Sequence, residues 1–442
     1  MQCLLEAVWT AFFICVKIVL YFYAFICIII NNILIAQNQE DGNMTLQEII
    51  EKDRKYYMNT FGDRTPVCFS HGKGISLWDL DGNEYYDFLA GIAVSALGHS
   101  HPAVVNAICD QAKKFIHCSN LYYIESQVKL AELIVENSCA DKVFFANSGA
   151  EANEGAIKLA RLYFKKKGYS NKIEIITLEK SFHGRTLATI AATGQDKYQK
   201  PYSPLTPKFL KVPINDLKVM EEAICENTCA VMIEPIQGEG GVNPTSYEYI
   251  KGLRELCDKN GILLIFDEVQ CGLGRTGKLF GYQHYGVEPD IFTLAKALGG
   301  GFPVGALCAK DHVAKTFEPG DHGSTFGGNP LACSVAYAVL STIINDKLCE
   351  NAEETGNYFF EKIEAVKRKH PVINEVRGKG LMIGIEFSRP IAKEVNKKCF
   401  ENRYLLGTVG NSIIRVLPPL IVTKADIDGL IEMLDNVLSE FD

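Results

Sequence analysis

The chain has 442 residues, enough to bury a large core and to form two or three structural domains. Charged residues make up 22% and aromatics 10%, an ordinary globular composition, and the net charge of −8 gives no reason to expect nucleic acid or an anionic membrane surface as partner. Fifteen cysteines are spread singly. The two nearest, Cys225 and Cys229, lack a second pair or a histidine cluster, which argues against zinc and for reduced thiols in a cytoplasmic protein.

Residues 1–43 stand apart as an apolar extension. The run Ile18 to Ile30 is too short to span a bilayer, and joining it to Ala7–Val16 would bury Lys17. A signal peptide fits poorly, because Glu6 replaces the usual basic residue and no small-residue cleavage site follows. Two readings remain, a single membrane anchor or translated upstream sequence. The second is preferred, with Met44 as the natural start. Gln39-Glu40-Asp41 can be encoded with an embedded AGGAGG, a bacterial ribosome-binding sequence, and reading the gene's nucleotides there tests this. No membrane partner is expected unless residues 1–43 are real.

From Met44, Thr45 and Glu48 form a capping box ahead of a helix. Residues 75–80 and 84–89 read as strands around the Asp81-Gly82-Asn83 turn, a hairpin signal. His99 and His101 have no third ligand nearby and read as structural residues beside Pro102, not as a metal site. Residues 44–102 are expected to belong to a small domain.

Strands and helices alternate from about 103 to 323, the pattern of a doubly wound α/β domain. Residues 142–146 are an apolar strand ending in Asn147-Ser148-Gly149-Ala150, and a helix follows with Ala156, Leu159, Ala160 and Tyr163 at helical spacing. Small residues at a helix N-terminus leave backbone N–H groups open to an anion, although strand, small residues and helix also occur as plain punctuation. Further strands are read at 173–177 and 230–233.

Two more apolar runs each end in a charge. Residues 262–266 lead into Asp267-Glu268, and 290–295 into Lys296. Buried parallel strands read this way, and a charge at a carboxyl end sits where open α/β sheets bind ligands. Taken alone, such a lysine also fits a surface position. Together, the pair suits pyridoxal phosphate catalysis, in which a lysine forms a Schiff base with the cofactor aldehyde and a carboxylate keeps the ring nitrogen protonated.

With Asp267-Glu268-Val269-Gln270 and the glycines 299–301 after Lys296, the chain resembles the class III aminotransferases of fold type I, the acetylornithine branch above all. The resemblance runs from about Thr60 to the end. It implies an α/β fold with a mostly parallel seven-stranded sheet in a large domain (103–325) and a smaller α+β C-terminal domain (326–442). It implies pyridoxal phosphate as cofactor, with Lys296 and Asp267 catalytic. Ser148, Gly149, Ala150, Phe182, Glu268, Val269, Gln270 and Thr325 would also hold the cofactor, Phe182 by stacking and Gln270 through the ring oxygen. Arg185 and Ser324 would meet substrate, and Glu234 would lie near the cofactor. Glu239 and Arg415 would form a gate, closed for a diamine and open for glutamate. Thr325 would reach the partner's cofactor, which implies a homodimer. Arg377 is either structural or carboxylate-binding.

The implied reaction moves the side-chain amine of N-acetylornithine to 2-oxoglutarate, a step of arginine biosynthesis. The segment Ala90–His99 and His183 after Phe182 favour that donor, and Ile92 stands where ornithine enzymes often carry tyrosine. Ornithine, N-succinylornithine and 4-aminobutyrate are the alternative donors. A decarboxylase or a cofactor-binding regulator of the same fold are alternatives of another class.

Overall fold

The computed structural model describes residues 44–441, so the expectations for 1–43 lie outside the described residues. Two compact units are present, one holding 44–70 and 79–82, the other 71–78 and the chain from Asn83 onward. In the first, helix α1 (Leu46–Tyr56) starts at Thr45. The Thr45 hydroxyl accepts from the Glu48 amide, and the Glu48 carboxylate accepts from the Thr45 amide at 2.8 Å, the reciprocal cap expected.

In the second unit, residues 76–78 pair antiparallel with 84–86, with Leu77 opposite Tyr85. The return strand stops at Asp87, short of the expected residue 89. Asp87 Oδ1 accepts from the Leu89 and Ala90 amides and turns the chain, while Oδ2 meets His99 Nε2 at 2.8 Å. His99 is thus a structural residue, and His101 caps the next helix through Nδ1. Among the described residues there is no group of side chains that could hold a metal.

Seven strands form the large sheet: β1 (Lys142–Ala146), β2 (Glu174–Leu178), β3 (Phe209–Val212), β4 (Thr228–Ile233), β5 (Leu263–Asp267), β6 (Ile291–Leu294) and β7 (Gly305–Ala309). Their order is β1-β7-β6-β5-β4-β2-β3. Pairing is parallel except where β7 meets β6 and β1. Alternation along the central strands divides two helical layers. Val231, Ile233, Leu264 and Phe266 face one cluster with helix α3 (Pro330–Asn345), and Ala230, Met232, Leu263 and Ile265 face another with helix α2 (Gly149–Lys166). Burial on both faces explains why these strands read as continuous apolar runs.

A second, antiparallel sheet has the order β8-β9-β11-β10, with β8 (Ile373–Lys379), β9 (Met382–Phe387), β10 (Gly407–Val409) and β11 (Ile413–Val416). Residues 376–379 lie within β8: Arg377 pairs with Gly384 and Lys379 with Met382. Only Gly380 turns, at φ +55, where a Cβ would meet the Thr276 carbonyl carbon at 2.5 Å. Cross-strand pairing holds Gly378 in the strand opposite Ile383 against the weak strand preference of glycine. No single described helix is long and apolar enough to cross a membrane.

Candidate active site

Strand β5 carries Asp267 as its last residue, in register with Thr293 on the parallel neighbour β6. Just past β6 the chain breaks from its extended course, and Lys296 adopts φ +46, a left-handed conformation that costs a non-glycine residue energy. Both side chains line one cavity of about 380 Å3 with Gln270, Val269, Phe182 and Glu239. Desolvation lowers the Lys296 pKa from its ordinary value, while Glu239 and Asp267 pull the other way.

The N-terminus of α2 closes another wall of this cavity through Ser148, Gly149 and Ala150. Ser148 caps the helix by accepting from the Glu151 amide at 3.2 Å. The first-turn N–H groups of Gly149 and Ala150 have no intrahelical acceptor and face anions favourably. Gly149 is required by close approach, because a Cβ there would meet Val269 Cγ1 at 2.9 Å.

Asp267 is 3% exposed and densely bonded. Oδ2 accepts from Asn153 Nδ2 at 2.7 Å and lies 2.8 Å from His183 Nδ1, and Oδ1 accepts from the Val269 amide at 3.0 Å. Sequence reasoning missed Asn153 and used His183 only as a substrate marker. The available signal was a polar residue on the buried face of α2, three and seven positions before Ala156 and Ala160. His183 Nε2 and Gln270 Oε1 are buried without a partner among the described residues. Gln270 lies tight against Gly238, where a Cβ would meet its Oε1 at 1.9 Å.

The remaining residues divide. Arg415, 3% exposed, donates to Glu239 at 2.5 Å, so two side chains far apart in sequence are in contact. Burial raises the Glu239 carboxyl, but Arg415, Lys296 and Gln270 together outweigh it and the net shift is downward. Phe182 and Arg185 line the cavity, with the exposed Arg185 guanidinium 4.0 Å over the Tyr198 ring. Glu234 accepts from the Phe182 and Gly238 amides, and its burial pushes the carboxyl up.

Glu268, expected at the cofactor, does not line the cavity. Its carboxylate accepts from the Gly281 and Tyr282 amides instead, and burial pushes its pKa up to about 7. Alternation along the chain sends neighbours Asp267 and Glu268 to opposite sides. Arg377 is occupied by Glu375, Glu386 and the Gly241 carbonyl. Ser324 lies outside the cavity, with Oγ 3.2 Å from Asn147 Nδ2, and Thr325 is exposed on the same loop.

A carboxylate, a desolvated lysine, a helix N-terminus and unpaired buried polar atoms around one cavity fit pyridoxal phosphate, whose ring nitrogen, aldehyde and phosphate need those groups. Residues 57–438 match the family model of aminotransferase class-III. The chain belongs to the class III aminotransferases, and its sheet and cavity are those of fold type I. It is 53% identical over 392 residues to the acetylornithine aminotransferase of Caldanaerobacter subterraneus subsp. tengcongensis, covering 89% of this chain and 99% of that one. Among solved structures it resembles the ornithine aminotransferase of Toxoplasma gondii, with TM-score 0.87, 34% identity and coverage of 92% and 98%. It also resembles the acetylornithine aminotransferase of Elizabethkingia anophelis, with TM-score 0.81, 36% identity and coverage of 90% and 100%.

Proposed function

We propose that this enzyme binds pyridoxal phosphate in the cavity and transfers the side-chain amine of N-acetylornithine to 2-oxoglutarate, giving glutamate. The observation that carries the reading is the convergence of Lys296, Asp267 and the α2 N-terminus on one cavity. The names of relatives near 50% identity support the donor. When bound, the cofactor supplies an aldehyde that takes up amines and a ring that acts as an electron sink.

The chain's own groups do the rest. Lys296, its proton affinity lowered by desolvation, moves a proton at the amine-bearing carbon as general base and acid. Asp267 sets a negative charge for the ring nitrogen, and Gln270 offers its amide to the ring oxygen. Gly149 and Ala150 hold the phosphate with backbone N–H groups. Phe182 and Val269 wall the flat ring. Arg185 takes a substrate carboxylate through its guanidinium fork. Glu239 masks Arg415 for a cationic donor and releases it for a dicarboxylate.

The active form is proposed as a homodimer in the cytoplasm. Asn120 donates to the Ser324 and Gly327 carbonyls, which sets Leu121, Tyr122 and Tyr123 on the segment packed against the Thr325-Phe326 loop. All four of the large apolar side chains there, Phe326 included, are exposed in the single chain, as a surface covered by a second copy would be. Thr325 is exposed in that surface, which supports a role toward a partner's phosphate. The twelve described cysteines are free, as in a reducing compartment.

Purified enzyme with pyridoxal phosphate and 2-oxoglutarate should form glutamate with the highest kcat/KM for N-acetylornithine among N-acetylornithine, ornithine and 4-aminobutyrate. Preference for ornithine would keep the cofactor reading and overturn the donor.

A further inference from the structure

An acid that must face a cofactor is useful only when its carboxylate is held in one orientation. Of the three donors on Asp267, the Val269 amide is local backbone and His183 comes from the loop after β2. Asn153 is different, because its own orientation is determined. Its Nδ2 faces two acceptors, Asp267 Oδ2 at 2.7 Å and the His183 carbonyl at 2.8 Å, and its Oδ1 accepts from Thr293 Oγ1 at 2.6 Å. A flipped amide would set Oδ1 against a carboxylate and a carbonyl, so only one orientation satisfies these atoms.

The location matters as much as the bonding. Asn153 is 1% exposed and sits in α2, the helix whose N-terminus forms the anion end of the cavity. Thr293 is fully buried, lies opposite Asp267 in the β5–β6 register and precedes Lys296 by three residues. One amide therefore joins the elements that carry the anion site, the acid, the lysine and the Phe182 wall.

We propose that Asn153 is a positioning residue, locking Asp267 in a single orientation toward the cavity through a Thr293–Asn153–Asp267 hydrogen-bonded chain. The inference rests on the pyridoxal phosphate reading above. It requires Asn153 to act through Asp267 and not merely to support the fold. Breaking the chain at either end must then alter how the cofactor is held and how it titrates. Asn153→Asp should act strongly, since it sets a second carboxylate against Asp267. Asn153→Ala removes a hydrogen bond to a charged group. Thr293→Val removes only the donor that orients the amide, at nearly constant volume, and Thr293→Ser keeps that donor.

The test compares holoenzyme of these four variants with the unaltered protein. The readouts are the pH dependence of the bound cofactor's visible absorption, the Kd for pyridoxal phosphate, kcat and KM, with the Tm of the cofactor-free form as the folding control. Asn153→Asp and Asn153→Ala should move the midpoint of the absorption change by about one pH unit or more. They should weaken cofactor binding about 10- to 100-fold and lower kcat with KM changed less than about 3-fold. Thr293→Val should move the midpoint in the same direction by less, and Thr293→Ser should return it toward that of the unaltered protein.

A folded Asn153→Ala with unchanged midpoint and unchanged cofactor affinity overturns the proposal. If the Asn153 variants do not fold, the Thr293 pair decides, and Val behaving as Ser overturns it. An unaltered protein that binds no pyridoxal phosphate would instead defeat the cofactor reading, and this inference with it.

Discussion

The floor and the mouth of the cavity are built on different terms. At the floor, Asp267, Asn153 and His183 are each at most 3% exposed, and Asp267 has a donor on both carboxylate oxygens. They stand on strand ends and on a helix packed against a sheet buried on both faces. At the mouth, Arg185 is exposed and its guanidinium lies over the Tyr198 ring. A rigid floor suits chemistry common to both substrates, because pre-organised groups need no rearrangement at the moment of reaction. A less committed mouth suits two substrates of different charge.

Changes at the floor should therefore lower turnover, and changes at the mouth should rebalance substrates. The largest effect belongs to Lys296→Ala, which should lower the rate about 10³-fold or more with the fold retained, checked by glutamate formation and circular dichroism. Measurable turnover at the original rate would remove Lys296 from its role.

Glu268→Gln sharpens the comparison by probing a buried acid that the cavity does not use. The Glu268 pKa, raised to about 7 by burial, lies above its unfolded value, so the native state holds the proton more tightly. Stability from this group is present at low pH and is lost as pH rises from about 4.5 to about 7. The loss is up to about 3 kcal/mol. Urea unfolding at pH 5 and pH 8 should show the unaltered protein losing stability relative to the variant. Parallel pH profiles would contradict this.

At the mouth, Arg185→Ala should raise KM for the carboxylate substrates about 10- to 100-fold while leaving the cofactor's absorption unchanged. An altered spectrum with intact KM would move Arg185 from the mouth to the floor.

The smallest effect tests local strain. Residues 90–93 all have positive φ, Ile92 at +66 among them, in a left-handed turn anchored by Asp87 and followed by Val94 in the cavity wall. Replacing Ile92 by glycine relieves about 1–2 kcal/mol of strain and offsets lost side-chain packing and added chain entropy. Ile92→Gly should accordingly cost less than about 1 kcal/mol by urea unfolding, where a substitution of this size in a relaxed position costs more. A loss beyond about 2 kcal/mol would show the turn to be unstrained.

Much of this architecture was legible in the chain itself. Apolar runs bounded by turn residues marked β1, β4, β5 and β6, because strands buried on both faces admit no polar alternation. Asp267 and Lys296 stood out because a charge ending such a run is unusual, and Gly149 because a strand runs straight into small residues opening a helix. These are local signals, each contained within a few neighbouring residues. Tertiary structure alone decided what depends on distant partners. Asn153 became a ligand of Asp267 only when α2 packed across β5 and β6, and Glu268 turned away to amides thirteen and fourteen residues on. Hydrogen bonds act over about 3 Å, whereas sequence patterns report only which face a residue shares with its near neighbours.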